Sequence, residues 1–325
     1  MNLTVLITAI GSLSSEAVIS GLRRWGAGRL VGCDTHPGEW LATKRYVDAF
    51  HRVASCLDEE TYVKQVLAVI SSENVGWIVP LTDPEVDVIA RHRAIFLDRG
   101  AWPCIPSDEA LNLSRDKLAF HDRFVDTGDI GVIPTQLLSH EPPNWPFPWL
   151  IKPRKGRSSE GQLWVTDESE YVFYVSRLKH CDFIIQPLFS ESDVFVVDVV
   201  RDGKTGDVAT IGRQELMRTV NGAGTTVGIC TDSVLKELAV AVAAEIDVHG
   251  CINIEFLKVH GCYLLMDINP RFSAGVSFSV HAGYDMVGNH MRCHMGQFIE
   301  PLKPISTALY ARRYREFFLH NGVLP

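Results

Sequence analysis

Polar side chains end two apolar segments near the C-terminus. In YLLMDINPRFSAG (263–275), Asp267, Asn269 and Arg271 occupy alternate positions after an apolar run, and Glu255 lies within the earlier run CINIEFLKV. Residues two apart in a β-strand share a face. If the two strands pair through a tight turn at VHG, Glu255 lies opposite or diagonal to Asp267. Two carboxylates and an amide then meet on one patch of sheet.

Two interpretations of this polar patch stay open. Buried carboxylates need a counter-charge, and hard oxygen ligands that leave room for water and phosphate oxygens are typical of Mg²⁺ sites in phosphoryl-transfer enzymes. Alternatively, both acids lie on a solvated face and pair with neighbouring lysine or arginine side chains. A second, independent signature is needed to decide between them.

That second signature lies in IKPRKGRSSEGQLWV (151–165). Lys152 ends an apolar run, and a loop of small and basic residues follows. Glycines let backbone N–H groups approach phosphate oxygens, serines add donors and cations supply charge. The loop residues are Gly156, Ser158, Ser159 and Gly161, set among the basic residues Arg154, Lys155 and Arg157. A flexible polar hairpin has the same composition, so the loop favours phosphate binding only together with the acidic patch.

The first 105 residues alternate strand and helix patterns. Apolar, β-rich runs at 3–10 and 30–35 flank a helix that Ser14 or Ser15 can cap. A second helix, a third strand in VGWIVPLT and a helix from Pro84 to about Leu97 follow. This alternation predicts a parallel, doubly wound sheet.

The remainder reads as a helical bridge followed by two α+β units. The bridge spans 107–128, with Ser114 as the predicted N-cap of its second half, and the Pro-rich patch at 140–149 is a surface connection. The predicted strands are WLIKP, QLWV, FIIQPL and the segments 194–202, 207–213, 251–258 and 262–269, and the predicted helices are 167–180, 231–248 and 284–297.

Composition excludes several classes of function. The chain has 325 residues, 46% hydrophobic, which is enough for two or three packed units. Its net charge of −8 argues against a nucleic-acid partner. Eight cysteines without a CxxC pair indicate reduced thiols, and the N-terminal apolar run is too short to span a membrane. We therefore expect a cytoplasmic protein with no membrane partner.

Taken together, the motifs resemble the ATP-grasp superfamily. Asp116-Lys117, IKP with its Gly/Ser loop, IIQPL, Glu255 and MDINPRFSAG come in the order and rough spacing of that superfamily. The branch that they resemble is carbamoyl phosphate synthetase and the carboxylate-amine ligases. The resemblance implies an α/β fold with a Rossmann-like N-terminal domain at 1–106, a linker helix and ATP-grasp lid subdomain at 107–188, and a C-terminal ATP-grasp subdomain at 189–325 that holds the metal and phosphate site.

The resemblance also implies a role for each matching residue. Lys117, Lys152 and the 156–161 loop contact the nucleotide and its phosphates, and Arg271 points at the transferred phosphoryl group. Residues 186–188 bind adenine, with Leu188 packed on its face. The implied ligands of two Mg²⁺ ions, with Mn²⁺ as an alternative, are Glu255, Asp267 and Asn269. The implied contacts of ATP are Lys117, Lys152, Gly156, Ser158, Ser159, Gly161, Gln186, Pro187, Leu188 and Asp193.

Three departures from the family pattern affect details. Asp267 stands where the family usually has glutamate, so one methylene of reach is lost. The acid that takes the ribose hydroxyls is offset in SESDVFVVD, which leaves Asp193 as the first candidate and Glu191 as the second. Some relatives have arginine at the position of Lys117. Lysine keeps the charge but cannot make the bidentate hydrogen bonds of arginine.

The implied reaction activates a small carboxylic acid, an amino acid among the alternatives, as an acyl phosphate that an amine attacks, with release of ADP and phosphate. A closing lid at about 130–185 excludes water. Arg213 and Arg218 are the candidates for binding the substrate carboxylate, beside a loop with Thr225 and Thr226; a surface ion pair with Glu215 or Asp207 is the alternative.

Other functions stay open as alternatives. One is a carbamoyl-phosphate-like enzyme that releases the phosphorylated acid, and another is a non-catalytic ATP-binding regulatory module. A homodimer is one implied assembly. NAD binding is disfavoured because only Gly11 of the required glycines is present. His290 and His294 have the i, i+4 spacing of a zinc pair, but without a third ligand nearby they indicate a helix surface.

Overall fold

The computed structural model describes residues 3–128, 130–156 and 160–319. Its N-terminal unit is a five-stranded parallel sheet in the order β3-β2-β1-β4-β5. Alternation of buried apolar strands with amphipathic helices produces this doubly wound arrangement. The elements are β1 (Thr4–Ile7), α1 (Ser15–Trp25), β2 (Arg29–Asp34), 3₁₀ turns at Gly38–Trp40 and Ala42–Tyr46, β3 (Ala49–Arg52), α2 (Glu59–Glu73), β4 (Trp77–Val79), α3 (Asp83–Arg91), α4 (Arg93–Asp98) and β5 (Trp102–Pro103).

Two helix predictions in this part of the chain need correction. The helix predicted from Pro84 to Leu97 is divided at His92 into α3 and α4. The bridge consists of α5 (Asp108–Arg115) and α6 (Lys117–Thr127). Ser114 is not the cap of α6, because its hydroxyl donates to the carbonyl of Ala110 within α5. Asp116 caps α6 instead, accepting from the Ala119 amide at 3.1 Å.

The middle of the chain forms a small four-stranded antiparallel sheet in the order β6-β9-β7-β8. Its elements are β6 (Gln136–Leu137), β7 (Trp149–Pro153), β8 (Leu163–Val165), α7 (Glu168–Val175), a 3₁₀ turn at His180–Asp182 and β9 (Phe183–Pro187). Apolar side chains of β7 and β9 pack under α7, so Lys152 and Gln186 are carried on a rigid layer.

The C-terminal unit is a six-stranded antiparallel sheet in the order β14-β13-β10-β11-β12-β15. Valines and isoleucines of its inner face pack on α8 in one core cluster. Its elements are β10 (Asp193–Arg201), β11 (Val208–Arg218), β12 (Gly224–Cys230), α8 (Ser233–Glu245), β13 (Gly250–Val259), β14 (Cys262–Asn269), α9 (Val276–His281), α10 (Met286–His294) and β15 (Ala308–Ala311).

The segment predicted to be a substrate-wrapping loop is largely a strand. Thr225 and Thr226 lie in β12, which pairs with β11 on one side and with β15 on the other. The glycines of NGAGTTVG favour a loop locally, but β15 supplies a partner about 80 residues away.

The three sheets fall within the three predicted domain ranges, and the boundaries at 106 and 188 remain predictions.

One short segment joins the four-stranded unit to the C-terminal sheet. Residues 131–133 run beside β14, where the Leu265 amide donates to the Gly131 carbonyl at 2.7 Å and the Ile133 amide donates to the Leu265 carbonyl at 3.3 Å. At that point the pairing of β13 with β14 shifts, and Met266 is the extra residue of a β-bulge. The strand that carries Asp267 is therefore tied to the start of the lid range.

No helix in the described part of the chain is long and apolar enough to cross a bilayer. None of the eight cysteines forms a disulfide, and four of them are buried.

Candidate functional site

The polar patch is built by the hairpin of β13 and β14. Glu255 pairs with Asp267 and Asn253 pairs with Asn269 across the hairpin. The turn residues His260 and Gly261 both have positive φ, 48° and 84°, as a two-residue hairpin turn of this twist requires. Local turn chemistry therefore sets the register that brings the two carboxylates face to face.

Hydrogen bonds hold the carboxylate of Glu255 in place. The Asn269 amide donates to Glu255 Oε1 at 3.1 Å and to Asn253 Oδ1 at 3.2 Å. Arg218 donates to Glu255 Oε2 at 2.9 Å. Burial raises the pKa of Glu255, and its neighbours Asp267 and Glu215 raise it further against the opposing effect of Arg218. A cation bound here would relieve that crowding of negative charge.

Two lysines face the acids from the other side of the cleft. Lys152 is buried, and burial together with the charge of Lys117 lowers its pKa to about 8. Lys117 donates to the Gly156 carbonyl at 2.7 Å and lies 3.8 Å from Asp267 Oδ1. Because the two lysines crowd each other, an anion placed between them would be strongly favoured.

These groups line one cavity of about 690 Å³ between the three sheets. This volume is within the range of small-molecule sites, ~300–1,000 Å³. One part of the wall is apolar, and its members are Ile133, Leu150, Leu188, Leu257 and Met266. The other part carries the charges, and its members are Lys117, Lys152, Arg213, Glu215, Arg218, Asn253, Glu255, Asp267, Asn269 and Arg271.

Arg271 is anchored by the N-terminal unit. It donates to Asp83 Oδ2 at 2.9 Å and to Asn269 Oδ1 at 3.3 Å, and Arg115 donates to Asp83 Oδ1 at 2.7 Å. Burial alone would raise the pKa of Asp83, but Arg271 and Arg115 outweigh it and lower the pKa to about 2. Asp83 thus connects the parallel sheet to the charged wall of the cavity.

Arg213 is enclosed by acids and is only 2% exposed. It donates to Asp198 Oδ2 at 2.8 Å, to Glu215 Oε1 at 3.0 Å and to Ser273 Oγ at 3.2 Å. The ion pair with Glu215 considered as an alternative exists, but it is buried and not on the surface. Arg218 also pairs with an acid, Glu255.

The structure brings most of the predicted nucleotide-binding residues to the cavity. Gly156, Gln186, Pro187 and Leu188 line it together with both lysines, and the Gln186 side chain donates to Thr135 Oγ1 at 2.7 Å. Gly161 is not part of the lining, although its neighbours Glu160 and Gln162 are. Ser158 and Ser159 lie outside the described residues.

The predicted ribose acid is not brought to the cavity. Asp193 and Glu191 are exposed and do not line it, whereas Ser192 between them does. The assignment of Asp193 remains a prediction without geometric support.

The histidine pair does not lie on a helix surface as predicted. His290 is 3% exposed, and one ligand atom of each of His290, His294 and Cys104 lies within 4.8 Å of the others. However, the Cys251 amide donates to His290 Nδ1 at 2.9 Å, so Nε2 carries the hydrogen of the neutral ring. Burial lowers the pKa of His290 to about 3. A protonated Nε2 has no lone pair for a metal, so this cluster is not assigned as a metal site.

Sequence reasoning missed Asp198 beside Arg213 and considered Glu215 only as the partner in a surface ion pair. Asp198 interrupts the valine run of β10, and such an acid in a buried strand is a detectable signal. Glu215 gave no signal beyond its alternation with Arg213 along β11, because its burial depends on contact with β12.

A protein-family model matches part of this chain. The model of a family described as "ATP-grasp in the biosynthetic pathway with Ter operon" matches residues 179–313, less than half of the chain. A search of curated proteins finds no match.

Solved structures share the fold at low sequence identity. Biotin carboxylase from Campylobacter jejuni, in a β-γ-ATP complex, has a TM-score of 0.77 at 16% identity over 91% of this chain and 72% of its own. The biotin carboxylase domain dimer of Hydrogenobacter thermophilus 2-oxoglutarate carboxylase, with MgADP and bicarbonate, has a TM-score of 0.76 at 16% identity. The match covers 93% of this chain and 71% of that one. N5-carboxyaminoimidazole ribonucleotide synthetase from Thermotoga maritima has a TM-score of 0.71 at 17% identity. The match covers 94% of this chain and 79% of the synthetase. The predicted α/β fold class and the resemblance to the ATP-grasp superfamily are confirmed.

Proposed function

Because this chain has the ATP-grasp fold, we propose that it is an ATP-dependent carboxylate-amine ligase. It activates a small carboxylic acid as an acyl phosphate and joins it to an amine, releasing ADP and phosphate. The observation that carries the proposal is the pairing of Glu255 with Asp267 across a hairpin that faces two crowded lysines in one cavity.

The residues of the hairpin fit Mg²⁺. Glu255, Asp267 and Asn269 offer hard oxygen donors on one face, and Glu255 has a raised pKa that a bound cation would relieve. We assign these three residues to hold two Mg²⁺ ions, which supply charge neutralisation to the triphosphate when bound. The solved relatives whose names include Mg-ADP or an ATP complex support this assignment.

The other charged groups divide between the two substrates. Lys117 and Lys152 bind the nucleotide phosphates, Leu188 packs on the adenine, and Arg271 stabilises the charge on the transferred phosphoryl group. Arg218 lies beside Glu255 and between the metal ligands and Gly222, so it is the better placed of the two candidate arginines to reach an acid. Arg213 holds its neighbours in position from within the wall.

The test is a screen for ADP release with Mg²⁺, ATP and a panel of amino acids and small carboxylates, each with and without candidate amines. The expected result is release that requires both an acid and an amine and yields a C–N bonded product detectable by mass spectrometry. Stable phosphorylated acid in the absence of amine would instead identify the enzyme that releases this intermediate. ATP binding without release under any condition would contradict the ligase and favour a regulatory module.

A further inference from the structure

The wall of the cavity contains a buried cluster of three charges that is not neutral. Asp198, Arg213 and Glu215 contact one another, and the side chains of all three are at most 2% exposed. Two carboxylates and one guanidinium give a net charge of −1. An uncompensated buried charge costs several kcal/mol unless a counter-ion is supplied. Within the described residues, Arg312 interacts electrostatically with Arg213 and Glu215 but forms no ion pair with either acid of the cluster, so one further positive group in direct contact would balance it.

The hydrogen bonds show where that group belongs. Both oxygens of Asp198 are satisfied, because Oδ1 accepts from Asn253 at 3.2 Å and Oδ2 accepts from Arg213 at 2.8 Å and from Ser279 at 2.6 Å. Glu215 Oε1 accepts from Arg213 at 3.0 Å. Glu215 Oε2 is buried and has no hydrogen-bond partner among the described residues. Nearly all buried carboxylate oxygens are hydrogen-bonded, so this oxygen is a marked exception.

The unpaired oxygen packs against the wall of the cavity. Glu215 lines the cavity, and its Oε2 lies against the backbone of Gly224, where an added Cβ would be only 1.8 Å from the oxygen. Gly224 is thus a position where the close approach of a carboxylate requires a residue without a side chain. Glu215 lines the same cavity as Arg218 and Glu255, at the side proposed for the substrates.

We propose that Glu215 is the residue that recognises the substrate's ammonium group, accepting a hydrogen from it at Oε2. This inference rests on the proposed function, because it places a substrate in the same cavity. A primary ammonium supplies one positive charge and directional N–H donors, which match one available oxygen. Mg²⁺ fits less well, because it needs several oxygens in octahedral geometry and Oε1 already accepts from Arg213.

Two substrates could bring this ammonium group. It is either the protonated form of the amine, which must transfer a proton to a base or to water before its lone pair attacks the acyl phosphate, or the α-ammonium of an amino acid whose carboxylate is activated. In both cases the group that Glu215 binds is an alkylammonium. The steady-state KM values for the two substrates distinguish which of them carries it. If the ammonium belongs to the amine, Glu215→Gln raises KM for the amine; if it belongs to the acid, the same change raises KM for the acid.

The experiment measures binding directly, so it does not need turnover. The twenty common amino acids serve as probes in titration calorimetry with Mg²⁺ and a non-hydrolysable ATP analogue present, and each one that binds is compared with its N-acetyl form. We expect N-acetylation and Glu215→Gln each to weaken binding on the order of 10- to 100-fold, the loss expected for a hydrogen bond between charged groups.

Asp198→Asn is the matched control, because it removes the charge of the other acid that pairs with Arg213, and Asp198 itself does not line the cavity. If Glu215 served only to position Arg213, both substitutions would weaken binding equally and N-acetylation would have no effect, which would overturn the proposal. The N-acetyl comparison on the wild-type protein decides the question even if Glu215→Gln does not fold.

Three further outcomes are decisive. Absence of binding by every amino acid together with an unchanged KM for the amine in Glu215→Gln, or an increase in the Mg²⁺ requirement of Glu215→Gln without a change in the affinity for either substrate, would also overturn the role of Glu215. Amino-acid binding that depends on Glu215 without any ADP release would support this inference while contradicting the ligase.

Discussion

At the residue scale, the site combines acids and cations that restrain one another. Arg218 holds Glu255, Arg271 is held by Asp83, and Lys117 lies near Asp267. Such pairs position side chains before a ligand arrives, so little reorganisation is required during the reaction. Substitutions of Arg218, Glu255 or Asp267 should therefore change catalysis more than they change folding.

Asp267→Asn tests the metal assignment. The substitution keeps the shape of the side chain but removes its charge, so Mg²⁺-dependent ATP turnover should fall on the order of 100-fold, about 3 kcal/mol of transition-state stabilisation. The melting temperature should stay close to that of the wild type. Asp126→Asn, an exposed change on α6, is the control and should leave turnover intact. Normal turnover in Asp267→Asn would contradict the assignment.

Arg218→Ala tests the substrate side. The acid substrate should lose a cation, so its KM should rise about tenfold or more while KM for ATP changes less. Initial rates measured over a range of both substrates separate the two constants. The reverse pattern would place Arg218 in the nucleotide site.

The pKa of Lys152 predicts a pH dependence of nucleotide binding. Burial and Lys117 lower this pKa to about 8, so Lys152 is charged below pH 8 and neutral above it. Affinity for a MgATP analogue should therefore weaken by roughly tenfold per pH unit above pH 8. Titration calorimetry from pH 7 to 9.5 measures this, and Lys152→Arg should abolish the inflection because arginine stays charged. An inflection that persists in Lys152→Arg would assign the titration to another group.

At the element scale, the hairpin of β13 and β14 was predicted from its sequence because its determinants are local. Alternation along each strand and a two-residue turn fix which side chains face each other. Thr225 and Thr226 were misplaced because their strand depends on β15, far along the chain. The burial of Glu215 was missed for the same reason, since it results from packing against Gly224 on the neighbouring strand. Long-range pairing is the information that a single sequence does not display.

Gly261→Ala tests how far the turn stabilises the hairpin. Gly261 has a φ of 84° with open space around it, so alanine would add only backbone strain. The free energy of unfolding should fall by about 1 kcal/mol. Denaturant unfolding measures it, and Gly76→Ala is the control, because Gly76 has ordinary φ and its nearest neighbour would be 3.9 Å away. Equal losses in the two variants would mean that the turn has no special role.

At the scale of the whole molecule, Asp83 couples the N-terminal sheet to the cavity. Arg271 and Arg115 lower its folded pKa to about 2, below the ordinary value of an aspartate, so its contribution to stability is present above pH 4 and is lost as pH falls towards 2. Asp83→Asn should leave Arg271 without its acid and Arg115 with Asp87 alone, and it should destabilise the protein by about 3 kcal/mol at pH 7.

The pH dependence provides the control for this prediction. Between pH 4 and 2, Asp83→Asn should lose stability less steeply than the wild type, because the titrating group is gone. Urea unfolding at several pH values in this range measures both slopes. Parallel slopes would show that Asp83 does not carry the ionic link between the units.

The short pairing of residues 131–133 with β14 has a mechanical consequence. This segment leads into the four-stranded sheet, and it is hydrogen-bonded at Leu265, one residue before the bulge at Met266 and two before Asp267. A swing of the small sheet would pull on the same few atoms that orient Asp267, the proposed metal ligand. Opening of the cleft and release of the proposed cations would then occur in one motion, because both depend on the same backbone segment.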